Sequence, residues 1–96
     1  MEYGVVHFFP GGTKDQYERS IEAVHPGKDK LPKGQIYHVG GPTDGGWLVV
    51  AIFDSKDSWE SFRDETLMPA MQKGLPGGFT SPPEERAFEI NRKHTA

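Results

Sequence analysis

The sequence contains no cysteine, which excludes both a disulfide framework and a thiolate metal site. It has no apolar run near the ~20 residues that a membrane-spanning helix requires. The eleven Lys and Arg residues are scattered and the net charge is −3, so no dense basic stretch is present to follow a phosphate backbone. These absences argue against a membrane and against nucleic acid as partners. Residues 1–9 lack the basic and apolar regions of a secretory signal, and we expect a cytoplasmic protein.

Hydrophobic residues are also scarce. They make up 34% of the chain, while twelve glycines and eight prolines add turns rather than core. A length of 96 residues allows one domain, residues 1–96, with no room for a second core. Because a domain of this size buries a limited share of its surface, pairing with a second copy is one common way to complete it.

The most informative stretch runs from residue 47 to residue 72. It opens with seven apolar residues, Trp47 to Phe53, a composition typical of a central strand covered on both faces. A helix then begins at Ser55, with Trp59 and Phe62 on one stripe. Pro69 must disturb this helix, so that it ends near residue 68 or a new turn starts at the proline.

The remaining elements follow from shorter patterns. Thr13 and Gln16 match a capping box, which predicts a helix that starts there and ends before the His25-Pro26-Gly27 turn. Alternating or continuous apolar residues predict three further strands, over residues 3–9, 35–39 and 84–92. The glycine-rich segment 40–46 lies between two strands and predicts a hairpin.

The resulting order of elements is β-α-β-β-α-β. With right-handed crossovers this order gives an α+β, ferredoxin-like sandwich: a four-stranded antiparallel sheet with both helices on one face. The first and third strands become the central pair, in agreement with their being the most apolar runs.

Both faces of the third strand are apolar, so one face must meet something other than solvent. Uniformly aliphatic side chains on one face (Leu48, Val50 and Ile52) are expected to pack on the helices. The other face holds Trp47, Val49, Ala51 and Phe53, continued on the first strand by Val5, His7 and Phe9. Left in water, this second face would be a large apolar patch, and we expect a second subunit to close it.

The segment GGWLVVAIFDSKDSWESF, residues 45–62, resembles the dimeric α+β barrel superfamily, in particular its antibiotic-biosynthesis-monooxygenase-like and stress-responsive groups. As a pattern the resemblance extends over nearly the whole chain, although its motifs determine the fold rather than the chemistry. It implies a homodimer that holds an apolar pocket between the sheet and the helices or loops. It further implies a cofactor-independent oxygenation, or a related isomerisation or cyclisation, of a small planar or aromatic compound.

Within such a pocket, His7 is the first candidate for a catalytic group, as a base or a ligand anchor, because it is a titratable residue among apolar neighbours. His38 is the second candidate. Tyr37, Trp47, Phe9 and Phe53 are the candidate substrate contacts. A structural role remains open for each: a core histidine bonded to the backbone or to a tyrosine, and aromatic side chains that simply fill the core.

A metal or haem site is not expected. The four histidines show no H-x-H, H-x-x-x-H or H-E-x-x-H spacing. Residues 55–72 hold no histidine of the kind that a haem-degrading relative uses on its second helix. The same order of elements occurs in RNA-recognition domains, but WLVVAIFDS lacks their basic and aromatic pattern. The alternative to an enzyme is a non-catalytic dimeric barrel that binds an apolar metabolite or is associated with stress.

Overall fold

The computed structural model describes residues 1–27 and 30–96, and this part of the chain forms four strands and three α-helices. Their bounds, in chain order, are β1 Tyr3–Pro10, α1 Lys14–Val24, β2 Gln35–Thr43, β3 Gly46–Phe53, α2 Lys56–Phe62, α3 Met68–Lys73 and β4 Glu84–Glu89. The predicted β-α-β-β-α-β order is confirmed, with the second helical region divided in two.

The four strands form one antiparallel sheet in the order β2-β3-β1-β4. The two most apolar strands are the central pair, as predicted, and Val5 lies opposite Ala51 while His7 lies opposite Val49. The edge strand β4 places Glu85 directly opposite His7. This register brings a charged residue next to a histidine that the apolar sequence of β1 alone leaves without a partner.

The capping box at the start of α1 is present. The Thr13 hydroxyl accepts a hydrogen bond from the Gln16 backbone N–H at 3.2 Å, and the Gln16 side chain accepts one from the Thr13 backbone N–H at 3.1 Å. These two bonds satisfy backbone donors that the first helical turn leaves free. The helix therefore begins where the sequence predicts.

The second helical region continues past the expected break through a π-helical turn, Arg63–Leu67, which joins α2 to α3. Pro69 lies in the first turn of α3. Because proline has no backbone N–H and its ring crowds the preceding turn, regular α-helical bonding is interrupted at this point. Of the two predicted outcomes, the start of a new helical segment is the one found, although α3 begins at Met68, one residue before the proline.

The prediction of which sheet face the helices cover is wrong. The helices pack on the face that holds Trp47, Ala51 and Phe53, and Phe53 is 1% exposed with its ring 5.5 Å from that of Trp59. Leu48, on the other face, is 37% exposed. Alternation along a strand separates two faces, but both are apolar here, and only the fit of the large rings against the aromatic stripe of α2 decides between them.

The uncovered face of the sheet is nevertheless apolar. Its large exposed side chains include Tyr37, Val39 and Phe88 in addition to Leu48. The Phe88 ring lies over Gly4, where an added Cβ would approach it to 2.6 Å. The expected apolar patch is thus present, but with a different set of residues.

Some boundaries differ from the predicted ones. β2 and β3 extend into the glycine-rich segment, so that the hairpin turn is reduced to Asp44 and Gly45, the latter with φ +82°. β4 ends at Glu89, three residues earlier than expected. Of the helices in the described ranges, none has the length and apolar character needed to cross a bilayer.

Candidate active site

An apolar cleft lies between the covered face of the sheet and the helices. Its free volume is about 80 Å³. This is below the ~150 Å³ of an apolar cavity known to hold benzene, so a larger planar ligand requires one wall to move. Polar side chains among its lining residues are few: His7, Tyr17, Ser20, His25, Gln35 and His38. Such a setting, apolar with a few convergent polar groups, is typical of a small-molecule site.

His7 projects into this cleft from the centre of β1. Its Nε2 lies 2.7 Å from Oε1 of Glu85, and the two side chains are 12% and 42% exposed. The rings of Phe9 and Trp59 lie edge-on to the imidazole, at 6.0 and 5.8 Å. In the neutral imidazole, an Nε2–H that donates to the carboxylate leaves Nδ1 as the unprotonated nitrogen. His7 is therefore held by a carboxylate and not by the backbone.

A β-bulge between Gln35 and Tyr37 sets the second polar group of the cleft. In the register, Gln35 lies opposite Phe53, Tyr37 opposite Ile52 and His38 opposite Ala51, with one extra residue inserted. A bulge of this kind reverses the alternation beyond it, so Gln35 and His38, three residues apart, both reach the covered face. The sequence predicts no bulge, and strict alternation puts these two residues on opposite faces.

Tyr17, His38 and Gln35 form a chain of hydrogen bonds across this part of the cleft. The Tyr17 hydroxyl lies 2.6 Å from His38 Nε2, and His38 Nδ1 lies 3.1 Å from Gln35 Oε1. Since the amide oxygen only accepts, Nδ1 carries the ring proton and Nε2 accepts from the tyrosine. The His25 ring lies edge-on to His38, with centroids 4.9 Å apart.

The pKa values of this group favour the neutral forms. Burial, together with the neighbouring His25, lowers the pKa of His38 to about 4. Burial likewise lowers the pKa of His25. Burial, reinforced by the charge of Glu18, raises the pKa of Tyr17. At neutral pH this hydrogen-bonded group therefore contains an uncharged His38 imidazole and a protonated Tyr17 phenol. The tautomer of His38 determines the directions of its hydrogen bonds.

The structure brings together four of the six candidate site residues from the sequence. His7, His38, Phe9 and Phe53 all line the cleft. The other two candidates lie elsewhere. Trp47 is buried beside Tyr17, with ring centroids 5.2 Å apart, and does not reach the cleft. Tyr37 is 51% exposed on the uncovered face of the sheet, where β2 turns it away from the helices.

Sequence reasoning missed three residues of the site: Tyr17, Gln35 and Glu85. Tyr17 belongs to the apolar stripe of α1, where a tyrosine is indistinguishable from a core aromatic residue. Glu85 is the second residue of the edge strand, and its approach to His7 depends on a pairing between residues 78 positions apart in the chain. A predicted sheet order with an explicit register is the one signal that could have paired them.

No cluster of three metal-ligating side chains occurs in residues 1–27 and 30–96. His7 and His38 each bond to a different partner, and neither shares a partner with the other. The arrangement suits proton transfer and hydrogen bonding to a ligand.

Comparison with solved structures identifies the architecture. A protein of Chloroflexus aurantiacus J-10-fl, provisionally assigned as an antibiotic biosynthesis monooxygenase, superposes with a TM-score of 0.65 at 12% identity, with 99% of this chain and 98% of that chain covered. The chain has the same fold as that protein. A monooxygenase of Streptomyces coelicolor, in complex with the ligand nanaomycin D, gives a TM-score of 0.54 at 15% identity over 99% and 91% of the two chains. No family model and no curated protein sequence matches. The predicted ferredoxin-like fold is thus confirmed.

Proposed function

We propose that this protein is a small-molecule enzyme that oxygenates a planar or aromatic compound without a bound cofactor, or carries out a related isomerisation or cyclisation. The observation that carries the proposal is the His7–Glu85 pair at the wall of an apolar cleft. A base in such a position can remove a proton from a ligand that the apolar walls keep away from water.

His7 is the base in this proposal. Its Nδ1 takes an acidic proton from the bound compound, and Glu85, 2.7 Å from Nε2, stabilises the imidazolium that results. A carboxylate that holds a histidine tautomer in this way serves the same purpose in hydrolases. Phe9 and Trp59 pack around the imidazole and restrict its orientation.

The oxygenation balances with dioxygen as the oxidant and co-substrate. A phenol loses its proton to His7, and the phenolate passes electrons to dioxygen as a carbon–oxygen bond forms at the ring. The protonated His7 gives its proton to the resulting peroxide anion, which becomes a hydroperoxide. Elimination of water, in which the ring carbon loses its hydrogen and the O–O bond breaks, then leaves a quinone, so one phenol and one dioxygen yield one quinone and one water.

The monooxygenase neighbours support this assignment through their fold, and one of them holds a small organic ligand, nanaomycin D. A 12–15% identity carries no residue from those proteins to this chain. The role of His7 therefore rests on its own contacts.

Oxygen uptake in the presence of hydroxynaphthalenes tests the function. We expect uptake by the wild type and a loss of at least ~100-fold in His7→Ala, since general bases contribute about that much or more. His94→Ala, in the exposed tail, is the control. Unchanged turnover in a folded His7→Ala removes His7 from the mechanism. Binding of nanaomycin D with no turnover of any hydroxyarene instead favours the non-catalytic ligand-binding barrel.

We also propose that a second copy of the chain covers the uncovered sheet face. Tyr37 and Phe88 are each 51% exposed there, and Val39 is 44% exposed. Burial of apolar surface is favourable by about 25 cal/mol for each Å² removed from water. This favours closure of a face with several such side chains. An apolar face that is present in each copy suits a symmetric pair.

A further inference from the structure

The hydrogen-bonded side chains of Tyr17, His38 and Gln35 have no part in the proton abstraction assigned to His7, yet Tyr17 and His38 line the same cleft. Tyr17 lies on α1 and His38 on β2, so these residues belong to a different wall of the cleft from His7. From the register, His7 and His38 are two strands and two residues apart, which places their Cα atoms about 12 Å from each other. A planar ligand can lie between the two groups once one wall of the cleft has moved.

The direction of each of these hydrogen bonds follows from Gln35, the buried residue at one end of the series. Gln35 is 7% exposed and turns Oε1 to His38 Nδ1, so that nitrogen donates. His38 Nε2 must then accept, and the single proton of the Tyr17 hydroxyl is committed to it at 2.6 Å. What Tyr17 can still offer to a ligand is an oxygen lone pair, because a phenol has one proton to give.

The same reasoning applies to His7. In the neutral imidazole the Nε2–H is committed to Glu85, so Nδ1 also presents a lone pair. Both polar walls of the cleft therefore offer acceptors. A ligand with a hydroxyl at each end satisfies them, whereas a ligand that carries only carbonyl or ether oxygens leaves them unpaired. An unpaired buried polar group weakens binding more than a missing contact at the surface.

We propose that Tyr17 is a specificity-determining residue whose oxygen, oriented by His38 and Gln35, accepts a hydrogen bond from a second hydroxyl of an aromatic substrate. The proposal rests on the proposed function for the location of the ligand but not for its turnover.

Anaerobic titration, followed by tryptophan fluorescence, tests this inference without turnover. The probes are a dihydroxynaphthalene, its dimethyl ether and naphthoquinone. We expect the dihydroxynaphthalene to bind at least about ten-fold more tightly than either of the others. Tyr17→Phe should reduce this preference about five-fold, while Tyr37→Phe, on the uncovered face, should leave it unchanged.

His38→Leu separates the positioning role from general damage to the cleft. Without its acceptor, the Tyr17 proton becomes free to donate, so His38→Leu should bind naphthoquinone more tightly than the wild type does. Tyr17→Phe has no hydroxyl to donate and should not show this gain. Equal binding of the three probes to the wild type, or tighter binding of naphthoquinone, overturns the inference. Clear preference without oxygen uptake leaves it standing and contradicts only the proposed function.

Discussion

The rings of Phe9 and Phe79 stack face to face, with centroids 3.7 Å apart and planes 8° from parallel. Phe9 belongs to β1, whereas Phe79 comes from the loop between α3 and β4, and both line the cleft. The Phe79 backbone N–H donates to the Ser20 hydroxyl at 3.1 Å, which ties this loop to α1. One wall of the cleft is thus a planar ring laid on another planar ring, in the position where an aromatic ligand would stack.

Removal of the Phe79 ring should open the cleft. Direct face-to-face stacking is less favourable than offset stacking, so an incoming ring can replace Phe79 at small cost. We expect Phe79→Ala to lower the dissociation constant for a dihydroxynaphthalene about three-fold or more, measured by fluorescence titration. Phe9→Ala is the matched comparison and should weaken binding, since it removes the stacking surface itself. Weaker binding in both variants would show that Phe79 is a fixed contact.

The charge of Glu85 should matter for turnover separately from its position. Glu85→Gln keeps an acceptor oxygen for His7 Nε2–H but no longer stabilises an imidazolium, so we expect kcat to fall by about ten-fold with little change in KM. Steady-state oxygen uptake measures both. Glu84→Gln, the adjacent position whose register places it opposite Phe8, is the control and should be neutral. A loss confined to KM would assign Glu85 to binding.

Stability should decrease in acid because of His38. Its folded pKa of about 4 lies below the ordinary value of 6.5, so between these values the unfolded chain binds more protons than the native one. The free energy of unfolding therefore falls as pH drops from about 6.5 to about 4, by roughly 1–2 kcal/mol once partial solvent exposure is considered. His25, whose pKa is also lowered by burial, acts in the same direction. Urea titrations at several pH values give the free energy of unfolding as a function of pH. This free energy should depend less on pH in His38→Gln than in His94→Ala.

The uncovered sheet face should control association. Leu48→Lys places a charge at the centre of that face, opposite Phe8 on β1, and should convert a dimer to a monomer. Sedimentation velocity at micromolar concentration distinguishes the two species. Glu22→Lys, on the exposed side of α1, is the control. A wild-type chain that sediments at 10.7 kDa would contradict the proposed pairing.

Truncation of side chains on the covered face of the sheet should lower the free energy of unfolding as it does in a hydrophobic core. Phe53 is 1% exposed, and its ring packs with those of Trp59 and Phe62. Phe53→Leu should lower the free energy of unfolding by about 1–2 kcal/mol, because it replaces a well-packed ring with a smaller side chain. Phe88→Leu, at a half-exposed site on the other face, should lower it less in a dilute sample. Urea unfolding followed by circular dichroism compares the two.

The sequence by itself determined the elements and their order. A capping box at Thr13, a continuous apolar run at β3 and the period of α2 are short-range signals, since each depends on residues within a few positions of one another. Two apolar strands then had to be central, and the four-stranded order followed from connection rules that hold for any chain.

The tertiary structure decided which face of the sheet is covered and which groups meet in the cleft. Leu48 and Phe53 belong to equally apolar faces of one strand, and only ring packing against Trp59 separates them. His7 meets Glu85 through strand pairing, and His38 meets Tyr17 through a bulge and the placement of α1. These contacts join residues 21 and 78 positions apart, and their free energy arises only after the sheet and helices have docked. No pattern of neighbouring residues in the sequence therefore predicts these contacts.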